Sequence, residues 1–200
     1  MRAFNEQEKD HIRETLIDRG RELFGTLGIK KTSISDLTKA VGIAQGSFYL
    51  FYKTKEELFF EILEREEEQI KKVLFSEIQF KPLTKELFKH FLLRSLEVIG
   101  NNPIIRRVQH GNEFTLMLRK LPKETIEQHI KKDAVDAFPM LKMWQQQGRL
   151  IERDSEVIVG VLRSFVLMSL HKQEIGEDIY DETILLVAES IADKIVKEEH

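Results

Sequence analysis

Residues 28–58 read GIKKTSISDLTKAVGIAQGSFYLFYKTKEEL, and the order of residue types in this stretch decides the fold. Ser33, with Asp36 three positions on, forms the pattern of a capping box opening a short helix that runs through Val41. Val41-Gly42-Ile43 is a tight turn, and a second short helix is expected from about Gln45 to Tyr52. Thr54 then caps a long helix whose first turn carries Glu56 and Glu57, where acidic side chains favour the helix dipole. Two short helices around a glycine turn are the skeleton of a helix-turn-helix.

Upstream, Ile12, Leu16, Gly20, Leu23, Phe24 and Leu27 recur at helical spacing, and Gly28 follows as a C-terminal stop. Residues 1–54 therefore read as a three-helix N-terminal domain, and 55–200 as a second helical domain. In the second, Leu58, Phe59, Ile62, Leu63, Ile70 and Val73 point inward from the first helix, with the charged run Glu64–Glu68 solvated. Further helices are expected from Thr84 to Gly100 and, after the Asn101-Asn102-Pro103 turn, to His110. A short helical piece follows Asn112, and the next helix is interrupted near Pro139 and ends by Gly148. Two more run over Ser155–Lys172, capped by Asp154 or Ser155, and Asp181–Val196, capped by Asp181. No strand pair is evident, so the fold class is all-α.

Composition narrows the chemistry. The 200 residues are 42% apolar and 32% charged with mixed signs, and contain no cysteine, which excludes disulfides and thiolate sites. The N-terminus has no apolar signal core, and the greasiest stretch, Val157–Leu170, is short and broken by Arg163. A cytoplasmic protein without a membrane partner is the expectation. The net charge is −3, yet five lysines (Lys30, Lys31, Lys39, Lys53, Lys55) face a single acid, Asp36, between Gly28 and Lys55. A basic patch on an otherwise acidic chain suits one surface that meets an anionic polymer.

The helix Gln45-Gly46-Ser47-Phe48-Tyr49-Leu50-Phe51-Tyr52 opens with small residues that let backbone approach a groove. Tyr49 and Tyr52 carry hydroxyls suited to phosphate oxygens, and Lys53 and Lys55 add cations. Phe48 and Phe51 suit the core. Thr32 and Ser33 can cap a helix and, if its N-terminus meets a phosphate, touch that too.

At Thr32, Ser33, Gly42, Gly46, Ser47, Phe48, Tyr49, Lys55 and Leu58 the stretch resembles the signature of TetR-family repressors. The resemblance covers little more than the first quarter of the chain. It implies an all-helical homodimer that binds double-stranded operator DNA as an inverted repeat, with a variable C-terminal domain whose ligand releases the DNA. The residues assigned to DNA are Thr32, Ser33, Gln45, Gly46, Ser47, Tyr49, Tyr52, Lys53 and Lys55. Ala44 stands where a serine commonly caps the reading helix, Gln45 replaces a frequent lysine, and Thr38 stands where alanine is usual. Phe51-Tyr52 reverses the common order of aromatics.

The last two helices are apolar around most of their circumference, with small residues Gly160, Ser164 and Ser169, and are the expected dimer contact. Phe91, His110, Phe114, Met117, Trp144, Phe165, Met168 and His171 are candidates to line an effector cavity, with core packing the commoner fate of any one of them. The effector is unidentified, and the aromatics and methionines favour an apolar or amphipathic molecule. Arg106, Arg107 and Arg119 suit either an acidic ligand or solvent. The rival classes fare worse. A di-metal helical bundle needs two Glu-x-x-His pairs and the chain offers one, Glu8–His11, and no other catalytic motif, cofactor site or metal site is legible. A helix-turn-helix serving a protein partner would be told apart by weak salt dependence.

Overall fold

The computed structural model describes residues 4–109, 117–169 and 171–197, and their order is helical throughout. α1 (Glu6–Lys31) starts on a capping box in which the Asn5 side chain accepts from the Glu8 amide while the Glu8 carboxylate accepts from the Asn5 amide. Then come α2 (Ile34–Val41), a 3₁₀ helix (Gln45–Leu50), α3 (Lys55–Ile78), α4 (Lys85–Asn101) and α5 (Pro103–Gln109). α6 (Lys123–Gln146), α7 (Ser155–Ser169), the single turn α8 (Lys172–Ile175) and α9 (Tyr180–Ile195) complete the chain. Among the described residues the one β feature is an isolated bridge between Leu150 and Val196.

Two compact units emerge, and they do not follow the motif boundary at residue 54. One comprises residues 1–69 and 101–126, the other 70–100 and 127–200. Sequence proximity hides this because the chain leaves the first unit along α3 and returns to it at α5.

In the first unit α1 packs on α2 and on α5, and α2 on the 3₁₀ helix. Leu16, Phe24, Leu37, Phe48, Leu58, Ile62 and Ile104 are all but inaccessible, and Phe24 meets Phe59 edge to face at 5.3 Å. Gly20 lies on the face expected of it, where a Cβ would come within 2.9 Å of Ile62 Cδ1 and 3.3 Å of Leu58 Cδ2. Leu27, from the same expected face, is instead 41% exposed. Gly28 has φ +79° and ψ 166°, a region open essentially to glycine alone, and breaks α1 one turn before its end.

The second unit is built on Phe88, Leu92, Leu141, Trp144, Ile158, Phe165, Ile184 and Ala188, with α7 packed on α9. Three details depart from the sequence reading. Pro139 sits inside α6 rather than interrupting it, because a missing N–H removes one ladder bond and the turns on either side continue. Asp181 lies in the first turn of α9, whose N-cap is Ile179, so it favours the dipole without capping. Val73, expected inward, is 46% exposed. Asp154 does cap α7, accepting from the Glu156 amide at 2.9 Å. No helix among the described residues is long and apolar enough to cross a membrane.

Candidate nucleic-acid interface

The frame of the interface is set by backbone signals that act over a few residues. At the start of α2 the Ser33 hydroxyl accepts from the Asp36 amide at 3.1 Å and donates to its carboxylate at 2.6 Å. That carboxylate also accepts from the Ser33 amide at 2.9 Å. These hydrogen bonds from Ser33 hold the Asp36 carboxyl below its ordinary range. α2 ends on Gly42 in the left-handed conformation, φ +79° and ψ 28°, which turns the chain toward the reading segment. Thr38 is buried, and its hydroxyl donates back to the Ile34 carbonyl at 2.9 Å, so the departure from alanine is absorbed within the helix.

The reading segment is a 3₁₀ helix rather than the longer helix expected to reach Tyr52. Its N-cap, Ala44, supplies no side-chain acceptor, and Gly46 is a weak helix former, so the six residues settle into the tighter i→i+3 pattern. Ser47 and Phe48 turn inward, while Gln45, Gly46, Tyr49 and Leu50 face outward, Tyr49 and Leu50 at 58% and 55% exposure. The Tyr49 ring stands edge-on to Phe48 at 5.8 Å, which steadies it without hiding its hydroxyl.

The nine residues assigned to DNA thus divide. Ser33, Gln45, Gly46, Tyr49 and Lys53 are exposed. Thr32, Ser47 and Tyr52 are buried, so they face the interior of the unit rather than the outward side expected of a direct contact. The Thr32 hydroxyl donates to the Gly28 carbonyl at 2.8 Å, closing the break in α1. The Tyr52 hydroxyl donates to Glu61 at 2.9 Å, and burial, then the Glu61 charge, pushes the phenol above its ordinary range. The Lys55 ammonium donates to the carbonyls of Ile29 at 2.6 Å and Thr32 at 2.7 Å. It neutralises the C-terminal end of α1 instead of standing free for a phosphate. Lys30, Lys31 and Lys39 are exposed and keep the patch cationic.

Sequence reading missed the polar lattice behind this face. Arg13 pairs with Glu61 at 2.8 Å and lies 5.8 Å from the centre of the Tyr52 ring. Arg65 reaches both Glu14, at 2.6 and 2.8 Å, and Glu61, at 3.1 Å. Burial works against the Glu61 charge, but hydrogen bonds from Arg13 and Tyr52 and the charges of Arg13 and Arg65 hold its carboxyl below the ordinary range. Glu66, expected in solvent, is 4% exposed and bonded to Arg21 and to Asn102 Nδ2 at 2.5 Å. Asn102 in turn accepts from the amides of Ile104 and Ile105, so one residue caps α5 and moors it to α3. Arg107 donates to the carbonyls of Gly25 and Thr26, next to the break in α1. An arginine read as ligand-binding or solvated is a backbone clamp. Lys120 pairs with buried Glu56 at 2.6 Å. Among these ion pairs a visible hint exists only for Arg65 with Glu61, four positions apart on one helix; the other paired side chains are far apart in sequence.

The effector candidates scatter. Met117 is buried in the first unit; Trp144 and Phe165 are buried in the second, where Phe91 stacks on Phe75 at 6.3 Å and on Phe88 at 6.1 Å. Met168 is half-buried and His171 exposed, whereas His110 and Phe114 lie outside the described residues.

Comparison with known proteins matches the segment that carries this face. Residues 16–62 match the family of bacterial regulatory proteins of the tetR type. The HTH-type transcriptional regulator AcrR of Shigella flexneri is 36% identical over 64 residues, which are 32% of this chain and 30% of that protein; the shared stretch thus spans under a third of AcrR. The HTH-type transcriptional regulator YhgD of Bacillus subtilis is 25% identical, covering 79% of this chain and 96% of YhgD. A TetR-family regulator from Haemophilus influenzae shares the fold over 96% of this chain and all of its own, with a TM-score of 0.56 and 17% identity. RolR in complex with the ligand resorcinol does so over 97% and 99%, with a TM-score of 0.63 and 20% identity. The capped α2, the left-handed Gly42 and the outward Tyr49 all fall within residues 16–62, the segment that is similar to the tetR family of bacterial regulatory proteins.

Proposed function

We propose that the chain is a repressor that occupies an inverted-repeat operator as a homodimer and leaves it when a small apolar or amphipathic effector binds. The observation that carries this reading is the two-sided build of residues 45–53. Gln45, Gly46, Tyr49 and Lys53 are exposed, while Phe48 and Tyr52 pin the opposite side to the core. A face held rigid from behind and furnished with an amide, a phenol and a cation suits a major groove flanked by phosphates. In this reading residues 1–54 are the reading head. Ser33, Gln45, Gly46, Tyr49 and Lys53 touch DNA, and Thr32, Ser47, Tyr52 and Lys55 hold the frame.

Dimerisation through α7 and α9 draws on their exposed apolar side chains: Val157 at 58%, Leu167 at 50%, Leu185 at 40% and Leu186 at 64%. Among the described residues, and apart from its own helix's backbone, nothing lies within 4 Å of a Cβ built at Gly160, which leaves room there for close approach of a second subunit. A two-fold dimer presents two heads and hence reads an inverted repeat. Residues 55–200 are the effector and dimer domain of this reading, with Phe91, His110, Phe114, Met117, Trp144, Phe165 and Met168 as its candidate effector residues. Effector release is supported by fold kinship with RolR, a protein solved with its ligand resorcinol. It requires that the effector prefer the conformation that DNA disfavours.

The test is fluorescence anisotropy on duplex DNA from upstream of the protein's own gene, across a salt series. Binding that prefers this DNA over random duplex, weakens steeply with salt and is lost in Tyr49→Ala supports the reading. Equal binding to random duplex, or indifference of the Tyr49→Ala variant, overturns it.

A further inference from the structure

Leu50 was not among the residues the sequence assigned to DNA, yet it lies on the same outward face as Tyr49 and Gln45 and is 55% exposed. The segment cannot roll to bury it. The amides of Phe51 and Tyr52 both donate to the Phe48 carbonyl, at 3.0 and 3.1 Å; Phe48 is fully buried, and the Tyr52 hydroxyl is tied to Glu61. A leucine held in this position has no donor or acceptor to offer a base edge or a phosphate. Against the polar edges of adenine, guanine or cytosine it would strip water and return nothing. The major groove presents one apolar feature, the C5-methyl of thymine.

We infer that Leu50 is a specificity-determining residue that reads a thymine methyl group in each operator half-site, beside the polar contacts of Gln45 and Tyr49. This deepens the proposed operator-binding function and rests on it. It also gives the short segment a division of labour. Gln45 supplies the amide that can bond a base edge, Tyr49 and Lys53 engage the backbone, and Leu50 supplies the apolar contact.

The experiment selects operator duplexes from a random pool with the full-length protein, then replaces thymines by uracil one at a time in a labelled duplex. Uracil keeps every hydrogen-bonding group and removes only the methyl. Burying one methyl corresponds to about a fourfold change in affinity. The expected result is one thymine per half-site at which uracil weakens wild-type binding about fourfold. In Leu50→Ala, the thymine and uracil duplexes should bind alike with the wild-type salt slope. A wild-type protein that binds the selected duplex but ignores every thymine-to-uracil change overturns the inference alone. So does a methyl effect that persists at full size in Leu50→Ala. Failure of the wild type to select any duplex overturns the operator-binding reading together with it. Leu50 is more than half exposed, so truncation is expected to leave the fold intact, and the thermal melt of the variant checks this.

Discussion

The head at residues 28–58 and the helix pair α7–α9 expose side chains for opposite reasons. In the head, each exposed group stands in front of a satisfied one. Tyr49 leans on buried Phe48, and Lys53 precedes Thr54, whose hydroxyl accepts from the Glu57 amide at 3.1 Å. Break points in the backbone are closed by named donors, Thr32 and Lys55 at the end of α1. In α7 and α9, by contrast, Val157, Leu167, Leu185 and Leu186 are exposed aliphatic surface with no polar handle. Under the proposed function the first surface is complete in itself and meets a polyanion, while the second is exposed apolar area that a second subunit covers. On that reading, stability of the head resides in its own hydrogen bonds, and occupancy of DNA in the pairing of two heads.

The largest expected effect tests the second surface. Val157→Glu with Leu186→Glu should convert a dimer to a monomer by light scattering. Losing the second head should weaken operator binding at least about 100-fold. A dimer that survives both charges would place the subunit contact elsewhere. Next is Gly28→Ala, which forces a side chain onto φ +79°, ψ 166° and should cost about 1–3 kcal/mol in denaturant melts.

A smaller effect separates support from contact. Lys55→Met removes the cation from the Ile29 and Thr32 carbonyls and should cost about 1–2 kcal/mol of stability, with the salt slope of DNA binding unchanged. Lys53→Met should do the reverse, lowering the slope by about 1 while stability stays within about 0.5 kcal/mol. Equal behaviour of the two lysines would dissolve the distinction between frame and face.

The smallest effect is one of pH. The Glu61 and Glu66 carboxyls are held below their ordinary range in the folded protein, so their contribution is complete above the unfolded value of about 4.3. It fades as pH falls through the depressed folded values. Urea melts from pH 7 to pH 2.5 should show Glu61→Gln less stable than wild type at pH 7 and the gap closing in acid. A constant gap would mean that the Glu61 charge does not matter.

Much of this was legible in advance, and unevenly. The all-α class, the Ser33–Asp36 box, the Gly42 turn, the Thr54 cap and the break at Gly28 all came from residues within about four positions of one another. A motif reader sees such signals because hydrogen bonds of caps and turns span three or four residues. The division of the head into contact and support was not legible, since a tyrosine and a lysine in a reading motif look alike wherever their ends go. Tyr52 finds Glu61 one helix on, and Lys55 reaches back 26 residues to Ile29.

What the sequence by itself determined, then, is where the chain starts, breaks and turns, and which stretch is cationic. Those follow from propensities, caps and charge counts that need no partner in space. Only the tertiary structure decided which charges are spent. Arg107 on carbonyls 82 and 81 residues away, and Glu66 between Arg21 and Asn102, are consequences of α5 returning to the first unit. No local pattern encodes that return, because a buried ion finds its partner through the packing of apolar faces, and the packing must exist before the pairing has meaning.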